Sequence, residues 1–257
     1  MKISTLFQNK AFRFAVPLIF WAAVWQAAAA LVGAELLLPA PTAVVLRFFE
    51  LAVTPDFWQA ALTSLYHIFL GAVFGVLIGS LLSVLTSKFR LADIILSPAI
   101  RIVRTVPVAS FIILVLLWVK KSDVSSVISC LMVTPVMWES VSAGISSADK
   151  ALLEAAHAYK IKPTGVIRYI YLPAVKPHFI SGVCTSVGLA WKSGIAAEVL
   201  CLPKNSVGTE LYYSKIYLET PSLFAWTITV ILMSLALERV IVFFFRGNDK
   251  GRSKNEN

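Results

Sequence analysis

Charge is scarce in this chain. Only 14% of its 257 residues are Asp, Glu, Lys or Arg, against about 25% in a soluble domain, and that excludes a water-soluble globular fold. Histidine and cysteine are scarcer, with three of each. Cys130, Cys184 and Cys201 lie in or at the end of apolar runs without C-x-x-C spacing, which suits small buried hydrophobes rather than metal ligands. His67, His157 and His178 are scattered and no H-E-x-x-H occurs, so neither a catalytic site nor a metal site is assigned. The G-x-x-x-x-G-K-[ST] phosphate loop is also absent; the chain does not bind ATP through that motif, and no cofactor is expected on it.

Apolar sequence is what the chain has in quantity. Hydrophobic residues make up 58% and mean hydropathy is +0.79, the composition of an all-α integral membrane protein. Six spans are read: residues 14–32, 64–86, a third beginning within 88–104 and running to Val119, then 124–145, 179–201 and 223–245. The first is too long for a signal peptide and lacks a small-x-small cleavage pattern after it. Residues 1–13 form a basic segment, residues 14–245 the six-span domain, and residues 246–257 a basic polar tail. Pro98 and Pro107 are expected to bend the third span, and Pro135 to kink the fourth. Leu38-Pro39-Ala40-Pro41 predicts a stiff turn leading into a surface helix. Gly71, Gly75 and Gly79 lie on one helical face and invite close approach of another helix. His67 on the same span suits a hydrogen-bonded packing role.

The formal charge of +9 is not a nucleic-acid footprint, because the basic residues sit in short loops between spans. Seventeen of the 23 Lys and Arg fall on the side of both termini and residues 154–173, five fall on the other side, and Lys192 lies within a span. The positive-inside rule therefore places both termini and residues 154–173 in the cytoplasm of a multi-pass cell-membrane protein. Arg101 and Arg104 share a helical face and can reach lipid phosphates or an acidic partner.

Residues 154–173, EAAHAYKIKPTGVIRYIYLP, form a polar island between apolar runs. Ser146-Ser147-Ala148-Asp149 reads as a capping box ahead of a helix whose apolar face carries Leu152, Ala156 and Tyr159. Pro163 suits the first turn of a second helix, with Val166, Ile167 and Ile170 as its stripe and Pro173 as its stop. The pair predicts two short amphipathic helices at the membrane surface, joined by a bend, in a loop spanning about 146–177.

Glu154, Ala155, Ala156, Ile170, Leu172 and Pro173 fall in register with the cytoplasmic coupling motif of ABC importer permeases, which the stretch resembles. Lys160 stands where that family has glycine, its one mismatch. The Leu-Pro-x-Pro turn, the proline and basic residues opening the third span, and Trp191 followed by Ala197-Glu198 resemble the nitrate, sulfonate and taurine branch. The resemblance covers about residues 14–245. It implies a type I ABC importer permease fold that forms the path for a small anionic solute. It also implies a cytoplasmic ATPase subunit carrying ATP, an external substrate-binding protein, and a second permease copy, usually as a homodimer. Glu154, Ala155, Ala156, Tyr159 and Lys160 would face the ATPase, while Ile170, Leu172 and Pro173 would pin the second helix to the membrane core. At Lys160, a left-handed helix end would cost about 1 kcal/mol without glycine.

The fifth span carries Trp191, Lys192 and Glu198, a candidate translocation path. Lys192 and Glu198 lie about 240° apart around a helix and should not pair with each other. They could line a watery path, with Lys192 drawing in an anion and Glu198 gating its outer end. Alternatively, Glu198 lies at the external interface and Lys192 pairs with another helix. Two alternatives to the importer permease remain open at this point, an ion-gradient-driven secondary transporter and an intramembrane enzyme. Within the permease reading, the solute could be another small organic compound such as a pyrimidine vitamin precursor.

Overall fold

A computed structural model describes residues 10–246, and every regular element among them is helical. Positions 1–9 of the basic first segment and 247–257 of the tail lie outside the described residues. The helices are α1 (Lys10–Val32), α2 (Pro41–Ala52), α3 (Pro55–Lys88), α4 (Arg90–Thr105), α5 (Val108–Val115) and α6 (Val124–Ser146). Then come α7 (Lys150–Ala158), α8 (Pro163–Val166), a π turn (Ile167–Tyr171), α9 (Leu172–Cys201), α10 (Val207–Ile216) and α11 (Thr220–Arg246). Among the described residues, α3, α6 and α11 are long and apolar enough to cross a membrane, and the bent pair α4–α5 adds a fourth candidate. α1 and α9, with 23 and 30 residues, supply the length for the other two expected spans.

The chain divides into two compact units, within what the sequence presents as one permease domain. The first comprises Met1–Gln59 and Glu210–Val230. Here Pro41 opens α2 at a first-turn position, where its missing N–H costs nothing and its fixed φ suits the helix. Trp25 donates from its indole N–H to Pro39 O at 3.1 Å, and Phe57 stacks on Trp226 with centroids 5.0 Å apart. Arg47 ties α2 to the start of α11 by donating to Ser222 Oγ at 2.9 Å.

The second unit comprises Ala60–Thr209 and Ile231–Asn257. α6 is its central element, packing most extensively on α9 and also on α4 and α5. Ile112, Val124, Ile128, Met132, Ala197 and Cys201 form its buried cluster. The glycine face of α3 lies directly on α6: a Cβ on Gly71 would stand 2.1 Å from Ser126 O, and one on Gly79 2.4 Å from Thr134 O. Backbones at this separation leave no room for any side chain, which is the close approach that membrane helices use. His67 has the packing role expected of it. Its Nδ1 lies 3.3 Å from Ser126 Oγ, and Ser126 donates to His67 O at 2.7 Å.

Several expectations about element ends are corrected. α3 begins at Pro55, nine residues before position 64. The third span is not one rod: α4 and α5 meet at 106°. The break falls at Val106–Pro107, both extended with ψ near 135°, because a residue before proline is driven out of the helical region. The bend expected at Pro107 is present, and helical backbone continues through Pro98 in α4 and Pro135 in α6. Arg101 and Arg104 are both exposed, and Arg104 finds the acidic partner expected for this face in Glu139 of α6.

Pro173 does not end the second helix of the polar island. Helical backbone continues from Pro163 through the π turn into α9 and on to Cys201. A proline inside a helix lacks one N–H and crowds the preceding turn. The turn just before Pro173 is widened, with Leu172 N–H bonding to Ile167 O, and this wider register makes room for the ring. The expected pair of short surface helices is therefore one short helix and the foot of a long one.

Candidate functional site

The short helix of the island, α7, is capped by Asp149, whose carboxylate accepts from Ala151 N–H at 2.8 Å. The expected capping box is only half present. Ser147 closes α6 instead, its hydroxyl donating back to Gly144 O, so the two serines belong to the helix that ends there. Of the expected apolar face, Ala156 alone is buried, so it does not face outward beside Glu154 and Ala155 as the resemblance implied. Leu152 and Tyr159 are turned outward, Tyr159 at 82% exposure. Glu154 and Ala155 are also exposed, and the Glu154 carboxylate makes no hydrogen bond or ion pair among the described residues. A free carboxylate beside two outward apolar side chains is a surface without a partner among the described residues.

α7 ends in left-handed geometry at Lys160, φ 52°. Ile161 N–H reaches back to Ala156 O at 2.9 Å and Lys160 N–H to His157 O at 3.1 Å, the paired bonds of a Schellman helix end. Position 160 is the point where glycine would cost nothing and lysine is strained. Beyond the bend, Ile170 is half-buried, while Leu172 and Pro173 are exposed. Of the three residues expected to pin the helix into the core, only Ile170 is withdrawn from the surface.

Along α9 two faces separate. Trp191 and Glu198 are buried to 1% exposure, and Gly194 and Ala197 are buried with them. A Cβ on Gly194 would meet Ile68 and Ser129, and Ser129 donates to Ala190 O. Glu198 neither lies at an external interface nor faces open space. Its Oε2 accepts from Ser64 Oγ at 2.7 Å and from Gly208 N–H at 3.1 Å, and Ser64 Oγ accepts in turn from Val207 N–H at 2.9 Å. A carboxylate so enclosed fastens the chain that returns after α9, where Leu202 and Asn205 take positive φ. Gating by Glu198 has no geometric support here.

Lys192 lies on the other face and is exposed, together with Ser181, Thr185 and Ala196. Gly188 falls between them, with nothing within 4 Å of where a Cβ would be. Positions 181, 185, 188, 192 and 196 recur at helical spacing, so they form one continuous small and polar stripe around a single cation. Sequence reasoning found Lys192 but missed Ser181, Thr185 and Gly188. The same periodicity, followed back from Lys192, would have found them.

Residues 71–250 match the family described as binding-protein-dependent transport system inner membrane component. The taurine transport system permease protein TauC of Escherichia coli is 24% identical over 231 residues, covering 87% of this chain and 82% of its own length. The Bacillus subtilis protein SsuC, named for aliphatic sulfonates transport, is 28% identical over 206 residues, or 79% of this chain and 74% of its own. Among solved structures, an amino acid ABC transporter with histidines covers 75% of this chain and 94% of its own at TM-score 0.62 and 18% identity. The MetNI methionine ABC transporter covers 75% and 95% at TM-score 0.59 and 14% identity. These two likenesses concern the fold.

Proposed function

Because this chain belongs to the binding-protein-dependent transport system inner membrane component family, we propose that it forms the membrane path for a small anion of the sulfonate or taurine kind. Membership removes the ion-gradient transporter and the intramembrane enzyme as readings. The solute class rests on the relatives named for taurine and aliphatic sulfonates and on the stripe around Lys192, where one cation among small side chains suits a small anion.

The observation that carries the mechanism is the outward face of α7. Leu152, Glu154, Ala155 and Tyr159 project from a helix face that the other described residues do not cover. In the proposed arrangement this face enters a cleft of a separate cytoplasmic ATPase subunit, where ATP is bound and hydrolysed. Glu154 takes a basic or N–H partner there, and Ala155 permits close approach. An external binding protein delivers the solute, and a second copy of the chain completes the path. Both termini and α7 lie in the cytoplasm, as the distribution of Lys and Arg supports. Closure of the ATPase pair moves α7 and biases the spans between inward-open and outward-open states.

The test is ATP hydrolysis in liposomes by the chain assembled with its ATPase, wild type against Glu154→Ala. Loss of the stimulation by binding protein places Glu154 at the docking interface. Unchanged stimulation removes α7 as the point of coupling.

A further inference from the structure

α3 is 34 residues long, about 50 Å at 1.5 Å per residue, and exceeds the roughly 30 Å hydrocarbon core of a bilayer. Its last turn therefore reaches the level of the lipid headgroups, and it ends on Ser87 and Lys88. A groove of about 400 Å³ opens beside this end, within the roughly 300–1,000 Å³ of ligand clefts. Ser87 and Lys88 stand at it with Val84; Ile145 of α6 and Tyr171 and Leu172 supply the facing wall. The two polar residues are adjacent at the end of α3, and the rest of the wall is aliphatic or aromatic. Lys88 is exposed, lies 5.3 Å from the Phe89 ring centroid, and pairs with no carboxylate among the described residues.

We propose that this groove is a binding site for one phospholipid with an anionic headgroup. The phosphate is held by Lys88 and Ser87, and an acyl chain lies along Val84, Ile145 and Leu172. Charge complementarity selects the headgroup, and the depth of the α3 end selects a lipid over a soluble phosphate. The groove also touches Ile167 and Tyr171, the two ends of the π turn. A bound lipid would therefore support the irregular turn between α8 and α9. The proposal depends on the chain spanning a membrane, and not on what docks against α7.

The experiment is native mass spectrometry of the full chain released from vesicles of equal phosphatidylglycerol and phosphatidylcholine, with bound lipid counted after detergent washing. Wild type is expected to retain one phosphatidylglycerol per chain in preference to phosphatidylcholine. Lys88→Gln should lower that retention about fivefold, the scale of one lysine at an anionic surface. Val84→Trp, which fills the groove from an exposed position, should abolish it. Equal retention of both lipids, unaffected by either substitution, means loose surface lipid only and overturns the proposal. Loss with Val84→Trp but no effect of Lys88→Gln overturns the anionic assignment. A Val84→Cys disulfide between two copies in the same vesicles would put a second chain in the groove and also overturn it.

Discussion

The backbone N–H of Ile161 donates to Ala156 O at 2.9 Å across a left-handed Lys160. A Cβ in that conformation costs about 1–2 kcal/mol, partly offset in glycine by its freer unfolded chain. Lys160→Gly is therefore expected to stabilise the end of α7 by about 0.5–1 kcal/mol. Amide exchange at Ile161 and Tyr159 should slow by about two- to fivefold, and β-branched Lys160→Val should speed it. Faster exchange in the glycine variant would show that the helix end is not held in this geometry.

The buried Glu198 carboxylate holds Ser64 and Gly208 together. Glu198→Ala leaves a hydroxyl and a backbone N–H without their acceptor, at about 1–3 kcal/mol. Gly208→Ala attacks the same join sterically, since its Cβ would stand 2.4 Å from Glu198 Cβ and 2.6 Å from Val199 N. Both variants should lower the thermal midpoint of the purified chain, and the two losses should combine less than additively in the double variant. Full additivity would mean the groups are not coupled.

Glycines at the α3–α6 contact and on the α9 stripe should respond in opposite ways. Gly71→Ala forces the Ser126 carbonyl to move and is expected to cost several kcal/mol, read as poor yield and early melting. Gly188→Ala meets open space and should leave melting unchanged or slightly raised, since alanine favours the helix by up to about 1 kcal/mol.

Glu210, half-buried at the start of α10, has its carboxyl raised above the ordinary 4.5, first by burial and then by the Asp56 charge. A raised carboxyl binds its proton more tightly folded than unfolded. Its contribution is fully present below 4.5 and is lost as pH climbs through the raised value. The stability of Glu210→Gln relative to wild type should therefore increase across that window. A difference independent of pH would mean that Glu210 titrates alike in both states.

The spans and the glycine contact were legible because they rest on composition and on a single periodicity. Gly71, Gly75 and Gly79 have one reading at four-residue spacing, and α3 satisfies it. The prolines were legible only in part: Pro107 stands at the bend expected of it. Pro98 and Pro135 sit within continuous helices and Pro107 at a sharp break, because neighbouring turns decide whether a missing N–H is tolerated. Pro173 is tolerated for a similar reason, its turn widened by a π register that no local pattern announces. Within the site, Lys160 was legible as a left-handed position. Glu198 was not: its partners Ser64 and Gly208 come from distant stretches, and a charge inside a span looks the same whether it faces water or a hydroxyl.

Helical backbone runs unbroken from Pro163 to Cys201, 39 positions and about 55–60 Å. Such a run behaves as a stiff lever. Its foot follows the strained corner at Lys160, its far end is bolted by Glu198, and Lys192 rides between them. A tilt imposed at the foot therefore reaches the lysine and the bolt as one rigid swing, with the π turn as the soft place where some of the throw can be absorbed.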